Sequence, residues 1–177
     1  MNKDERGICT YFIGDIVTIC LGYNGILFKV IHAYASSHAD REDLFQEIAL
    51  QIWHSIDAFR GESKVTTWVY RVALNTAMAW NRWDERHQRG KQPLEAADSL
   101  LSTISPNHRD PRVDWLYGQI VALNDVDRSL ALLMLDGFSY REMADILGIT
   151  ENHVGVKINR IKSALARRLA EEEGHES

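Results

Sequence analysis

Between Asp40 and Trp83 the chain contains no proline and a single glycine, Gly61, while apolar residues recur at three- and four-residue steps. Such a stretch folds into two helices meeting at one short corner, because nothing inside either half breaks the α-helical hydrogen-bond ladder. The spacing predicts a first helix opening at Asp40, whose carboxylate can accept from the free N–H groups of the opening turn. Glu42 and Asp43 are favoured in the same turn by the helix dipole. Leu44, Phe45, Ile48, Ala49, Ile52, Trp53 and Ile56 make one broad apolar face, and Asp43, Gln46, Glu47, Gln51 and His54 fall opposite it. Leu50 lies within the acidic face, which fits either a docking surface or one stray exposed aliphatic.

The second helix is predicted to start near Ser63. Val65, Val69, Val72, Thr76, Ala79 and Trp83 line up as its core stripe. About a third of a turn away lie Lys64, Arg71, Asn75, Met78 and Arg82, with Trp68 on the border. Cations, an amide and a large aromatic along one helical face suit melted nucleic acid: the charges meet phosphates and the ring offers a stacking plane for an unpaired base. Taken singly, the same residues equally describe a core Trp and arginines that solvate a helix. The rest of the chain has to decide.

The chain has 177 residues, 45% of them hydrophobic and 25% charged, as in ordinary globular proteins. A net charge of −5 and a pI of about 5.8 speak at first against nucleic acid, but the charge is unevenly spread. Asp40 to Asp57 holds five acids against Arg41, a local −4. Arg60 to Lys91 holds seven bases against three acids, a local +4, and Ser139 to Ala170 six bases against three acids, a local +3. An acidic patch between basic ones suits a chain that touches both DNA and another protein. Cys9 and Cys20 have no ligand partners at metal spacing and the seven histidines do not cluster, so neither a metal nor another cofactor is expected. Asp15 interrupts the apolar run where an export signal would be continuous, and the uncharged run from Ile16 to Phe28 is thirteen residues, too short to span a bilayer. A cytoplasmic location is expected, with both thiols free.

Met1 to Gly22 is rich in β-branched and aromatic residues, which suit a strand or an irregular apolar segment as well as a helix, and residues 1–23 are read as an N-terminal extension. From Ile26, the residues Leu27, Val30, Ile31, Tyr34 and Ala35 return to a helical spacing that Ser36-Ser37-His38 ends. Arg86 to Arg112 holds all three prolines, at positions 93, 106 and 111, and reads as a linker. Beyond it, Trp115, Leu116, Ile120, Val121 and Leu123 make one helix, Asn124-Asp125 turns the chain and can cap the next, and Val126 to Leu135 is an apolar helix stopped by Asp136-Gly137. Ser139 can cap a short helix, Tyr140 to Leu147, with Glu142 completing a capping box and Met143, Ala144, Ile146 and Leu147 on its core side. Gly148 suits the left-handed residue that ends it, and Thr150 caps the helix that follows. Helix, three-residue turn with glycine, helix is the helix-turn-helix arrangement, here over residues 139–162. In that geometry Glu151, Asn152 and His153 stand where base edges are read, and Lys157, Arg160 and Lys162 can reach phosphates.

Two motifs in this order, DREDLFQEIALQIWHSIDAFRGESKVTTWVYRVALNTA and DGFSYREMADILGITENHVGVKINRIKSAL, resemble regions 2 and 4 of the extracytoplasmic-function sigma factors, promoter-recognition subunits of bacterial RNA polymerase. The ending ITENHVGVKINRIK is similar to Bacteroidetes-type members. The resemblance implies an all-α protein of two small helical domains: region 2 over residues 24–86, a flexible linker over 87–111, and region 4 over 112–172. It implies that Asp43, Gln46, Glu47, Leu50 and Trp53 dock on the β′ clamp helices of polymerase core. It implies that Phe59, Arg60, Gly61, Glu62, Ser63, Lys64, Trp68, Arg71 and Asn75 recognise and open the minus-ten element. Arg141, Thr150, Glu151, Asn152, His153, Lys157 and Arg160 are implied in reading the minus-thirty-five element. The implied partners are polymerase core (β′ clamp helices and β flap), promoter DNA and an anti-sigma factor, with no small-molecule substrate.

A stand-alone helix-turn-helix repressor or activator would account for residues 113–170 but leaves the acidic face and the FRGES corner without a purpose. An enzyme is the third reading. Asp43 and Glu47 sit one helical turn apart, as in some acid–base sites, yet no His, Ser or glycine-rich loop is placed to complete one. No catalysis is expected.

Overall fold

The computed structural model describes residues 22–87 and 111–173; the expectations for residues 1–21 and for the linker at 88–110 lie outside the described residues. Among the described residues there are seven helices and no strand. They are α1 (Asn24–Tyr34), α2 (His38–Ile56), α3 (Val65–His87), α4 (Pro111–Val121), α5 (Asp125–Leu135), α6 (Tyr140–Leu147) and α7 (Glu151–Glu173). The all-α expectation holds. The chain divides into two compact units between Arg89 and Gly90. None of the described helices is long and apolar enough to cross a membrane.

In the first unit α3 packs against both α1 and α2, which also touch each other. Leu27, Val30, Ile31 and Tyr34 of α1, Leu44, Ile48 and Ile52 of α2, and Tyr70, Ala73, Leu74 and Ala77 of α3 make its core. The helix expected to open at Asp40 begins two residues earlier. Ser37 is its cap: its Oγ accepts from the Asp40 N–H at 3.1 Å, and the Asp40 carboxylate accepts from the Ser37 N–H at 3.3 Å. Asp40 is therefore the reciprocal partner in a capping box. Arg41 fastens the corner from the other side, its guanidinium donating to the carbonyls of Ala35 and Ser36 at 3.1 and 2.9 Å.

Two apolar faces differ from their expected extent. On α2 only Leu44, Ile48 and Ile52 are fully buried, while Phe45 and Trp53 are exposed, because two neighbouring helices cover a single stripe of it. On α3 the expected core stripe is turned by about a third of a turn. Ala79 and Trp83 are exposed, and Thr67, Trp68, Val69, Tyr70, Ala73, Leu74, Ala77 and Met78 are buried. A helix wedged between two others buries a wide arc, and Ala73 and Ala77 let the backbones approach there.

In the second unit α5 packs on α4, α6 and α7, and α6 packs on α7. Pro111 lies in the segment read as linker but opens α4, where its fixed φ and missing N–H cost nothing. Asn124 caps α5 as expected, its side-chain oxygen accepting from the Asp127 N–H at 3.1 Å. Arg128 closes the end of α4 by donating to the carbonyls of Val121 and Leu123 at 2.7 and 2.9 Å. Ile120, Leu130, Leu133, Met143, Ile146, Val154, Ile158 and Ile161 fill the core.

Candidate nucleic-acid and partner interfaces

Asp43, Gln46, Glu47, Leu50 and Trp53 lie on the side of α2 opposite Leu44, Ile48 and Ile52, as the helical repeat requires. Four of them are exposed and Glu47 is half-buried, with Gln51 donating to its carboxylate at 3.0 Å. Leu50 is 52% exposed. A cavity of about 490 Å³ opens beside this face, lined by Glu47 and Gln51 of α2 and by Asn75, Thr76, Ala79, Trp80 and Trp83 of α3. It brings Glu47, read as a partner contact, and Asn75, read as a DNA contact, to one groove. Spacing places Trp83 in the core, yet it is 57% exposed and lines this groove together with the half-buried Trp80.

The Phe59-to-Lys64 corner turns at Gly61, whose φ of 73° only glycine adopts without strain. Arg60, Glu62 and Lys64 are exposed. Trp68 is not the open stacking plane that was expected: it is 8% exposed, and its ring lies 5.1 Å from that of Phe59 at 39°. Geometry of this kind suits a tilted aromatic pair. The ring pins the corner to α3, so Trp68 acts on its neighbours by shaping them. Met78, expected on the cationic stripe, is also buried. What the face does carry to solvent is Lys64, Asn75 and Arg82, with Arg71 half-buried, its Nε enclosed and without a hydrogen-bond partner.

The helix-turn-helix forms as its capping signals dictate. Ser139 accepts from the Glu142 N–H at 3.3 Å and the Glu142 carboxylate accepts from the Ser139 N–H at 2.9 Å. Gly148 takes the left-handed conformation at φ 67°, and Thr150 Oγ1 accepts from the His153 N–H at 3.2 Å. The Tyr140 ring lies over Gly155, in ordinary contact distance of where a Cβ would stand. Val154, Ile158 and Ile161 turn inward, leaving Glu151, Asn152, His153 and Arg160 exposed on α7, and Arg141 exposed on α6.

Lys157 departs from expectation. Its ammonium is turned back to Asp127 of α5 at 2.8 Å, with each side chain 21% exposed, and Asp127 also accepts from the Asn124 amide at 2.7 Å. Spacing could not reveal a partner thirty residues away. The pair fixes α7 against the start of α5, so Lys157 serves position before it serves any phosphate. Lys157→Met is expected to lower the stability of this unit by about 1–2 kcal/mol, since one partner of a largely buried pair is left behind. Exchanging the charges, Lys157→Asp with Asp127→Lys, should recover part of that loss in urea denaturation.

The Sigma-70 region 2 family matches residues 22–87, the whole described first unit. The "ECF RNA polymerase sigma-E factor" of Haemophilus influenzae is 27% identical over 145 residues, covering 75% of this chain and 76% of its own. That of Escherichia coli K12 is 25% identical over 158 residues, covering 83% and 82%. These relatives are extracytoplasmic-function sigma factors, and this chain is similar to them over three quarters or more of its length. The chain is also 25% identical to the "RNA polymerase sigma factor YlaC" of Bacillus subtilis over 132 residues. Among solved structures, its fold resembles RpoE of Bartonella quintana bound to the anti-sigma factor NepR, with a TM-score of 0.68 at 18% identity, over 88% of this chain and 97% of that one. It resembles CnrH, solved with the cytosolic domain of CnrY, with a TM-score of 0.61 at 18% identity, over 88% and 87%. These likenesses support a role in promoter-directed transcription over that of a stand-alone regulator.

Proposed function

We propose that residues 22–87 dock on the β′ clamp helices of polymerase core through Asp43, Gln46, Glu47, Leu50 and Trp53, and open the minus-ten element through the face beside them. The observation that carries this is the division of α2 into a buried stripe and an opposite acidic face that exposes Leu50 and Trp53. Arg60, Lys64, Arg71 and Asn75 meet the melted strand, while Phe59, Gly61, Glu62, Ser63 and Trp68 shape the corner that presents them. Residues 139–162 read the minus-thirty-five element, with Thr150 setting the start of α7, Glu151, Asn152 and His153 toward base edges, and Arg141 and Arg160 toward phosphates. The second unit also meets the β flap of core. The protein is cytoplasmic, acts without catalysis, cofactor or small-molecule substrate, and is held in check by an anti-sigma factor, as its likeness to RpoE, solved with one, supports.

The test separates binding from opening. Asn75→Ala is expected to leave core affinity intact and to reduce open-complex formation roughly 3- to 10-fold, the worth of one or two hydrogen bonds. Permanganate reactivity of the melted thymines reads the opening. Wild-type reactivity in Asn75→Ala and in Arg71→Ala would remove this face from strand opening.

A further inference from the structure

The side of α7 facing away from Val154, Ile158 and Ile161 carries Asn152, Val156, Asn159 and Ser163 at three- and four-residue steps, all exposed. No charge stands on this line. Glu151 and Lys162 flank it on one edge, and His153 and Arg160 on the other. Val156 sits one turn after Asn152 and is 43% exposed. A β-branched side chain there adds nothing to the core and is a poorer helix former than the polar residues a solvated face would use. A lone exposed valine is ordinary. This one stands at the middle of the surface that a helix-turn-helix turns to base edges.

Given that α7 enters a major groove, the chemistry of the line selects what it meets. Of the four bases only thymine presents a methyl group in the major groove, and apolar side chains are what recognise it. The Asn152 and Asn159 amides match the donor and acceptor of adenine. Guanine is read by Arg or Lys, and the nearest cation, Arg160, lies off the line. We infer that Val156 is a specificity-determining residue that packs on a thymine C5-methyl, so that A·T pairs are selected under the first two turns of α7. The inference rests on the proposed reading of the upstream element by this helix.

The test uses the full chain assembled with polymerase core. A promoter is first selected from a library with a randomised upstream element. Each thymine of that element is then replaced singly by deoxyuridine, which removes the methyl and leaves the hydrogen-bonding edge unchanged. One position is expected to weaken wild-type holoenzyme binding about 3- to 5-fold, the worth of burying one methyl. Val156→Ser should bind the thymine and deoxyuridine promoters equally, and Val156→Thr, which keeps a methyl, should retain part of the difference. The exposed position makes both variants fold as wild type, which thermal melting checks. If no position responds to deoxyuridine, or the responsive one still responds in Val156→Ser, the inference is overturned. Asn152→Ala and Glu151→Ala, at two positions turned toward base edges, tell the two failures apart. A changed upstream preference in either keeps α7 in the groove and sinks only the role of Val156, whereas no change in both takes α7 out of the groove altogether.

Discussion

Replacing Trp68 by alanine is expected to destabilise residues 22–87 by about 3–5 kcal/mol, the range for deleting a large buried aromatic. The side chain is 8% exposed and closes the Phe59–Gly61 corner against α3 by its contact with the Phe59 ring. Denaturation of the full chain, with hydrogen exchange localised to α1, α2 and α3, would register the loss. Core binding and strand opening should then fail together, because the docking face and the opening face share one small core. Asn75→Ala, at an exposed position, should fail in opening alone. A Trp68→Ala protein that melts like wild type but no longer opens DNA would return the ring to the role of a stacking plane.

Leu50→Asp is expected to weaken core binding roughly 30- to 100-fold, or about 2–3 kcal/mol, as for an apolar anchor at the centre of an interface. The residue is 52% exposed, so circular dichroism and melting temperature should stay near wild type. Glu47→Lys should act in the same direction through charge, and its effect should shrink as salt is raised. Its half-buried carboxylate, bonded to Gln51, adds a small folding cost that Leu50→Asp lacks. Unchanged affinity in a folded Leu50→Asp protein would take this face of α2 out of the interface.

Local signals in the chain were legible and long-range ones were not. Ser139 with Glu142, Gly148, Thr150 and Asn124 specify their helix ends within three or four residues, and each end forms where those residues place it. Ser37 with Asp40 is the same device, but aspartate in place of glutamate made Asp40 look like the cap itself. The turn of the α3 core was hidden because Ala73 and Ala77 weigh little in a hydrophobic pattern, although Tyr70, Ala73, Leu74 and Ala77 share the right spacing. The burial of Trp68 depends on Phe59 folding back across the corner, and the seating of Lys157 depends on Asp127 in another helix. Periodicity within one helix contains neither. The resemblance to the family rests on two motifs in order, which no single helix supplies.

Transcription from purified components tests the central claim most directly. The full chain is added to polymerase core on genomic fragments, and the 5′ ends of the products are mapped. The chain alone carries a net charge of −5, and its two basic faces stand on separate units, so they gain together only when core holds both at promoter spacing. Discrete 5′ ends should therefore appear only with chain and core together, and the chain alone should not retain the same duplex fragments. Sequence-specific retention by the chain alone, with no discrete 5′ ends gained from core, would contradict it.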